Sequence, residues 1–258
     1  MARLVRVAVG PGDVRAARVR DDGVVVGESG TVIGAVDELE LAAPCAPTKV
    51  LGVGRNYRSH LDARGQSYPT EPWVFLKAPN AVVGHRAGIV LPAGVDHLDY
   101  EAELALVISR RASRIAAGDW RDHVAGVTNA NDVTVRAWQQ GNAQWWRAKS
   151  SDTLCPLGPW IETDVDLDAP VTVRAWVDGE LRQDGATDDL LFGFGEILEF
   201  LTRSVTLEPG DVVLTGSPGG AGPVEVGATV EVEVASIGRL SNDVVTADGS
   251  PRTVGEGG

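Results

Sequence analysis

Cysteine is scarce in this chain. Cys45 and Cys155 are the only two among 258 residues. They have no metal-motif spacing and cannot build a disulfide framework, so a stapled fold and a thiolate metal centre are both excluded as expectations. A reducing cytoplasm is the default setting. Positive charge is also short: 23 Lys and Arg face 36 Asp and Glu, a formal net charge of -13. That balance repels a phosphate backbone and an anionic membrane surface, so neither nucleic acid nor membrane is an expected partner. An anionic small substrate would need local compensation from a metal, Lys or Arg. No hydrophobic run approaches membrane-spanning length, and the stretch from Met1 reaches Gly10 too early for a signal-peptide core. A cytoplasmic protein is expected.

Other familiar patterns are missing. There is no repeat of solenoid period, no low-complexity tract and no regular alternation of strand and helix. Gly52-Val-Gly54 follows an apolar run, but Tyr57 replaces the third glycine of a dinucleotide fingerprint. Gly216 to Gly222 is glycine-rich without the Gly-Lys-Ser/Thr ending of a phosphate loop, and implies only a tight turn that brings backbone amides near a site.

What remains reads as predominantly β with a few helices. With 43% hydrophobic residues the chain can bury a sizeable core. Residues 1–47 alternate short apolar runs with Gly-Asp and Asp-Gly turns, implying a small β-rich N-terminal domain that ends in the linker Pro44-Cys-Ala-Pro47. A larger domain follows over residues 48–246, and residues 247–258 form a polar, glycine-rich tail expected to fray. Val171 to Val177 alternates and meets Asp178-Gly179, and Thr229 to Val234 alternates again, which predicts two hairpins. Phe194, Ile197, Leu198 and Leu201 predict a helix over 194–204, stopped by Glu208-Pro-Gly-Asp211 before a strand at Val212 to Leu214.

Three constellations carry chemistry. In the first, Asp99, Glu101 and Glu103 alternate along a run that reads as one strand from His97 to Ile108, which places all three on one face. Such carboxylates either line a solvated strand edge or share a divalent cation. In the second, Asp132 offers another hard oxygen or a turn cap, Arg136 a cationic fork, and Lys149 a point charge for a carboxylate or enolate, with Gln139 between them. In the third, Arg55, Tyr57 and Arg58 surround His60, the one histidine set to carry a proton near such a site. His85, His97 and His123 are assigned structural roles.

Six ordered motifs resemble the fumarylacetoacetate hydrolase family over about residues 48–240: Gly54-Arg-Asn-Tyr57 with His60, Phe-Leu-Lys77, Tyr100-Glu-Ala-Glu103, Asn131-Asp132-Val-Thr, Lys149-Ser with Asp152-Thr, and Leu214-Thr-Gly-Ser217. The N-terminal part resembles the cap of bacterial members. The resemblance implies a mixed β-roll core, a homodimer, and Mg²⁺ or Mn²⁺ held by Glu101, Glu103 and Asp132. Asp99 then stands behind the ligands or at the surface. His60 and Lys149 are the implied catalytic residues. Arg55, Tyr57, Arg136, Gln139 and Ser217 are the candidate substrate-binding residues, Ser217 standing where the family often has threonine.

One departure bears on the reaction. Many smaller members carry a glutamate three residues after the histidine, where this chain has Ala63, and Asp62 is one residue off. A 2-oxo acid can chelate Mg²⁺, and the cation then stabilises the enolate formed when a C-C bond breaks or a proton moves. The leading expectation is C-C hydrolysis of a 2,4-dioxo or 2-hydroxy-dienoic acid such as an acylpyruvate. An isomerase, decarboxylase or hydratase/lyase of the same family, and a catalytically silent metal-binding protein, are the alternatives. Residues 58–72 are expected to form a lid, and Trp138, Trp145 and Trp146 to wall a pocket that favours a bulky or apolar substrate tail.

Overall fold

The computed structural model describes residues 3–248. Its centre is the strand Ala102–Ile108, buried along its whole length. Period two sends Leu104, Leu106 and Ile108 into one core with Val173, Ala175, Val230 and Val232. The opposite face, with Ala105 and Val107, packs on Ala130, Cys155, Leu157, Val212 and Leu214. A strand covered on both faces has to be apolar on both. Burial of each Leu contributes about 2 kcal/mol, and Glu103 is the exception in the run that needs another explanation.

Ala102–Ile108 lies inside a twelve-stranded sheet, antiparallel to Val124–Asn131 on one side and to Val212–Leu214 on the other. Val212–Leu214 runs parallel to Val50–Gly54, and Trp73–Lys77 closes that edge. A five-stranded sheet built around Thr172–Val177, Thr229–Val234 and Gly238–Val245 covers the core face. The predominantly β architecture therefore holds, with sheets of mixed direction and few helices.

Local chemistry sets the elements read from sequence. Thr172–Val177 turns into Glu180–Ala186 through Asp178 and Gly179, whose φ values of 51° and 80° match a two-residue hairpin turn. The helix Phe194–Thr202 buries Phe194, Ile197, Leu198 and Leu201 on one stripe. It ends two residues before the 204 expected. Glu196 Oε2 accepts the Gly193 amide at 2.8 Å and closes its N-terminus. Asp211 then anchors the next strand by accepting the Thr48, Lys49 and Glu208 amides at 2.9, 3.1 and 2.7 Å.

The N-terminal strands Arg3–Gly10, Asp13–Val19, Val24–Gly27 and Val32–Ala35 enclose a small core of Val5, Val7, Ala17, Val19 and Val25. They extend the large sheet, because Arg3 and Leu4 pair with Glu162 and Ile161. Pro44, Cys45 and Pro47 of the expected linker are buried, and Arg6 donates to the Ala43 and Cys45 carbonyls at 3.2 and 3.1 Å. Both cysteines are buried and free. Of the tail, residues 249–258 lie outside the described residues. No helix among the described residues is long and apolar enough to cross a membrane.

Candidate metal centre

The acidic run is two strands, not one. Leu98–Tyr100 pairs with Gly222–Val224, Ala102–Ile108 joins the large sheet, and Glu101 sits at the break. The backbone partners explain the switch. Asp99 and Thr134 exchange amide hydrogen bonds at 2.9 Å, while the Glu101 amide donates to Asn131 Oδ1 at 3.0 Å and its carbonyl accepts the Asp132 amide at 2.8 Å. Asp99 stays out of the carboxylate cluster and meets Arg136, which also holds Glu101.

Glu101, Glu103 and Asp132 converge, with candidate ligand oxygens all within 4.8 Å of one another. Two ammonium groups reach in. Lys149 Nζ donates to Glu101 Oε2 at 2.8 Å and also to Asp132 Oδ2, while Lys77 Nζ donates to Asp132 Oδ1 at 2.5 Å and to the Val133 carbonyl at 3.0 Å. Arg136 spans Asp99 Oδ2 at 2.8 Å and Glu101 Oε1 at 2.5 Å, and also donates to Gln139 Oε1.

This pairing divides the two glutamates. Burial alone would raise Glu101, but Lys149 and Arg136 overcome it and hold the carboxyl below the ordinary range. Glu103 is pushed well above that range by burial and by the charges of Asp132 and Glu101. Its hydrogen bond is from the Gly216 amide at 2.6 Å, and among the described residues it forms no ion pair with Lys or Arg. The glycine turn does bring an amide to the site, and Gly216 adopts a φ of 106° to do so.

Buried hard oxygens around a carboxylate short of positive charge fit Mg²⁺ or Mn²⁺, whose preferred donors are carboxylates. Lys149 is also drawn to this charge. Burial would lower it, but Asp132 and Glu101 reverse the direction and hold it as an ammonium.

The third constellation lies alongside. His60 is in helix α1, Arg58–Ala63, half-buried, and a Cβ at Gly219 would be 3.5 Å from its Nδ1. Burial and then Arg64 lower its pKa, and Glu101 opposes them. Its side chain forms no hydrogen bond or ion pair among the described residues. Asp62 instead accepts the Tyr68 hydroxyl at 2.8 Å, and Ala63 offers no acceptor. The 58–72 segment is pinned at its start, where the Ser59 amide donates to Asp189 at 3.2 Å.

The remaining candidates are dispersed around this centre. Tyr57 is buried with its hydroxyl unpartnered. Ser217 Oγ accepts Gln183 Nε2 at 2.9 Å, and Arg55 lies over the Trp73 ring. Of the three tryptophans, Trp145 stacks on Trp73 and leans on Phe75, which lies beneath Lys149 Nζ. Trp138 packs against the core under Arg147, and Trp146 is 65% exposed, so these two do not form the expected wall. His85 is structural, its Nδ1 accepting the Ser241 amide at 3.1 Å.

Lys77, Asn131 and Gln183 were not assigned roles by sequence reasoning. Gln183 Oε1 accepts the Ala102 amide at 2.9 Å and ties the carboxylate strand to the Ser217 turn. A lysine at the buried end of Trp-Val-Phe-Leu-Lys77 was a usable signal, since a buried ammonium requires a carboxylate. Gln183 gave no such signal.

The β core carries a Glu-Glu-Asp cluster that could hold a hard cation beside two lysines. The family model described as fumarylacetoacetate (FAA) hydrolase C-terminal matches residues 49–245. Oxaloacetate tautomerase YisK of Bacillus subtilis is 36% identical over 233 residues, covering 84% of this chain and 77% of that protein. The crystal structure of 5-carboxymethyl-2-hydroxymuconate delta-isomerase from Mycobacterium smegmatis superposes with a TM-score of 0.86 at 40% identity, covering 95% of this chain and 98% of that one. Maleylpyruvate hydrolase from Sphingobium sp. SYK-6, solved with manganese (II) and pyruvate, gives 0.79 at 26% identity, covering 95% and 99%. The chain belongs to the fumarylacetoacetate hydrolase family of enzymes.

Proposed function

We propose that the protein is a divalent-metal-dependent enzyme that moves a proton next to the keto group of a 2-oxo acid, an isomerase or tautomerase reaction. The observation that carries this reading is His60: close to the carboxylate centre, half-buried, and without a carboxylate behind it. A histidine that strips a proton from water gains from an acid that holds the resulting imidazolium. Proton transfer on carbon also makes an imidazolium, but only in passing: the proton returns to the substrate, and no water has to be held and activated beside a second acid.

Glu101, Glu103 and Asp132 would hold Mg²⁺ or Mn²⁺, which would supply the Lewis acidity that makes the carbon beside the keto group acidic. Lys149 shares the negative charge that develops on the substrate oxygen. Arg136, itself held by Gln139, fixes Glu101 from the other side, and Gln139 would give the oxo-acid end a further polar contact. Ser217, oriented by Gln183, completes the polar lining, with Tyr57 buried behind it. The similarity to an isomerase and a tautomerase supports this order of reactions.

C-C hydrolysis of an acylpyruvate is the second reading, favoured by the similarity to maleylpyruvate hydrolase. Both readings include assembly as a homodimer, to be read by analytical ultracentrifugation. The deciding experiment supplies oxaloacetate, acetylpyruvate and fumarylpyruvate with and without Mn²⁺, following the enol by absorbance and the products by mass. Metal-dependent enol-keto conversion without cleavage is expected. Release of pyruvate plus an acid moves the assignment to hydrolase, CO₂ release moves it to decarboxylase, and metal-independent or absent turnover overturns the proposal.

A further inference from the structure

Three cations close to the carboxylate centre are already engaged: Lys77 and Lys149 on Asp132, and Arg136 on Asp99 and Glu101. Arg55 is not. Among the described residues it forms no ion pair, its Nε is buried without an acceptor, and a terminal nitrogen donates only to the Ser67 carbonyl at 3.3 Å. A guanidinium with donors to spare is complementary to a carboxylate.

Its placement is built into the fold. Arg55 follows the strand Val50–Gly54 with a φ of 60°, a region sparsely used outside glycine, and its guanidinium lies 5.1 Å from the Trp73 ring centre. Trp73 stacks on Trp145 at 5.8 Å, with the rings 9° from parallel, and Trp145 meets Phe75 at 5.9 Å. Phe75 lies 4.5 Å from Lys149 Nζ. An aromatic surface therefore runs from the ammonium at the centre to the guanidinium of Arg55. Gly54 lies against this run, where a Cβ would make ordinary van der Waals contact with Trp145 at 3.7 Å.

We propose that Arg55 binds the distal carboxylate of a 2-oxo dicarboxylic acid and so selects substrates charged at both ends; this rests on the reading of the centre as a 2-oxo acid site. The bulky or apolar tail expected from the tryptophans gives way to a short carbon chain lying on aromatic rings with a cation at each end. Arg64 is the competing residue, because it too lacks a carboxylate partner among the described residues and acts on His60. It is exposed and has no ring or hydrogen-bond contact that fixes its side chain.

The test compares wild type, Arg55→Leu, Arg55→Lys and Arg64→Leu, each with Mn²⁺. Calorimetry measures binding of 2-oxoglutarate, 2-oxobutyrate and oxalate, and kinetics compare oxaloacetate with acetylpyruvate. Arg55→Leu is expected to weaken 2-oxoglutarate and raise the oxaloacetate KM about 30-fold, leaving 2-oxobutyrate, oxalate and acetylpyruvate within about threefold. Arg55→Lys recovers part of the loss. Equal loss on mono- and dicarboxylic acids, no loss, or a loss confined to Arg64→Leu overturns the assignment of Arg55 alone. A wild type that binds none of the three ligands overturns the site reading and this proposal with it. Oxalate binding without turnover overturns the proposed reaction, and the binding comparison still decides the role of Arg55.

Discussion

Asp99 holds Arg136 by the inner nitrogen of its guanidinium group. The Nε donates to Asp99 Oδ2 at 2.8 Å, which leaves a terminal nitrogen to reach Glu101 Oε1 at 2.5 Å. Asp99 thus acts on the carboxylate centre through one intermediary. Supporting residues of this kind typically cost 10- to 100-fold when lost. Asp99→Asn should weaken Mn²⁺ binding about 10-fold. Glu101→Ala or Asp132→Ala should abolish Mn²⁺ binding and activity together. Calorimetric Mn²⁺ titration beside a turnover assay separates the two, and full activity in Glu101→Ala would sink the ligand assignment.

His60→Ala should leave Mn²⁺ affinity intact and cost roughly 10²- to 10⁴-fold in turnover, the range of general acid-base catalysis. The pH profile has a definite sign. Burial and Arg64 disfavour the imidazolium, so the neutral form persists below the ordinary histidine value of 6.5. A proton acceptor must be neutral, so kcat/KM should fall only as pH drops through a midpoint below 6.5. A limb centred above that value, or an unchanged limb in His60→Ala, would assign the titration to another group.

Glu103 gives a prediction about the cation itself. Burial and the charges of Asp132 and Glu101 outweigh Lys149 and raise its carboxyl well above the usual range, and a carboxylate must lose its proton to bind a metal. Mn²⁺ binding should therefore release a proton and tighten as pH rises. Calorimetry in buffers of different ionisation enthalpy measures that proton. Glu103→Gln should remove both the release and most of the affinity, whereas pH-independent binding would place the ion elsewhere.

Much of this site was legible in the sequence because its residues belong to short motifs with fixed local geometry. Glu101, Glu103 and Asp132 were named together, and they meet in space. The single strand expected from His97 to Ile108 failed for a nonlocal reason. The partners that break it, Asn131, Thr134 and Gly222 to Val224, lie 30 or more residues away in sequence, and period two cannot register them. The tryptophans misled in the same way, since spacing alone did not say that Trp145 would stack on Trp73 while Trp146 turned to solvent. The hairpin at Asp178-Gly179 and the helix Phe194–Thr202 were readable because turn chemistry and helical spacing are local.

Lys77 carries the last prediction. Its ammonium is fully buried and meets Asp132 Oδ1 at 2.5 Å and the Val133 carbonyl at 3.0 Å. Losing one partner of a buried ion pair typically costs about 3 to 5 kcal/mol, and Lys149 remains on the other oxygen of Asp132. Lys77→Met should sit at the lower end, about 3 kcal/mol, or roughly 6 to 12 °C in Tm for a chain of this size. A structural role alone would leave that loss indifferent to metal. Because Lys77 helps neutralise the carboxylate that would also hold the cation, saturating Mn²⁺ should raise the Tm of Lys77→Met by more than it raises that of wild type. Differential scanning calorimetry with and without Mn²⁺ measures both quantities. Equal Mn²⁺ shifts in the two proteins would confine Lys77 to packing.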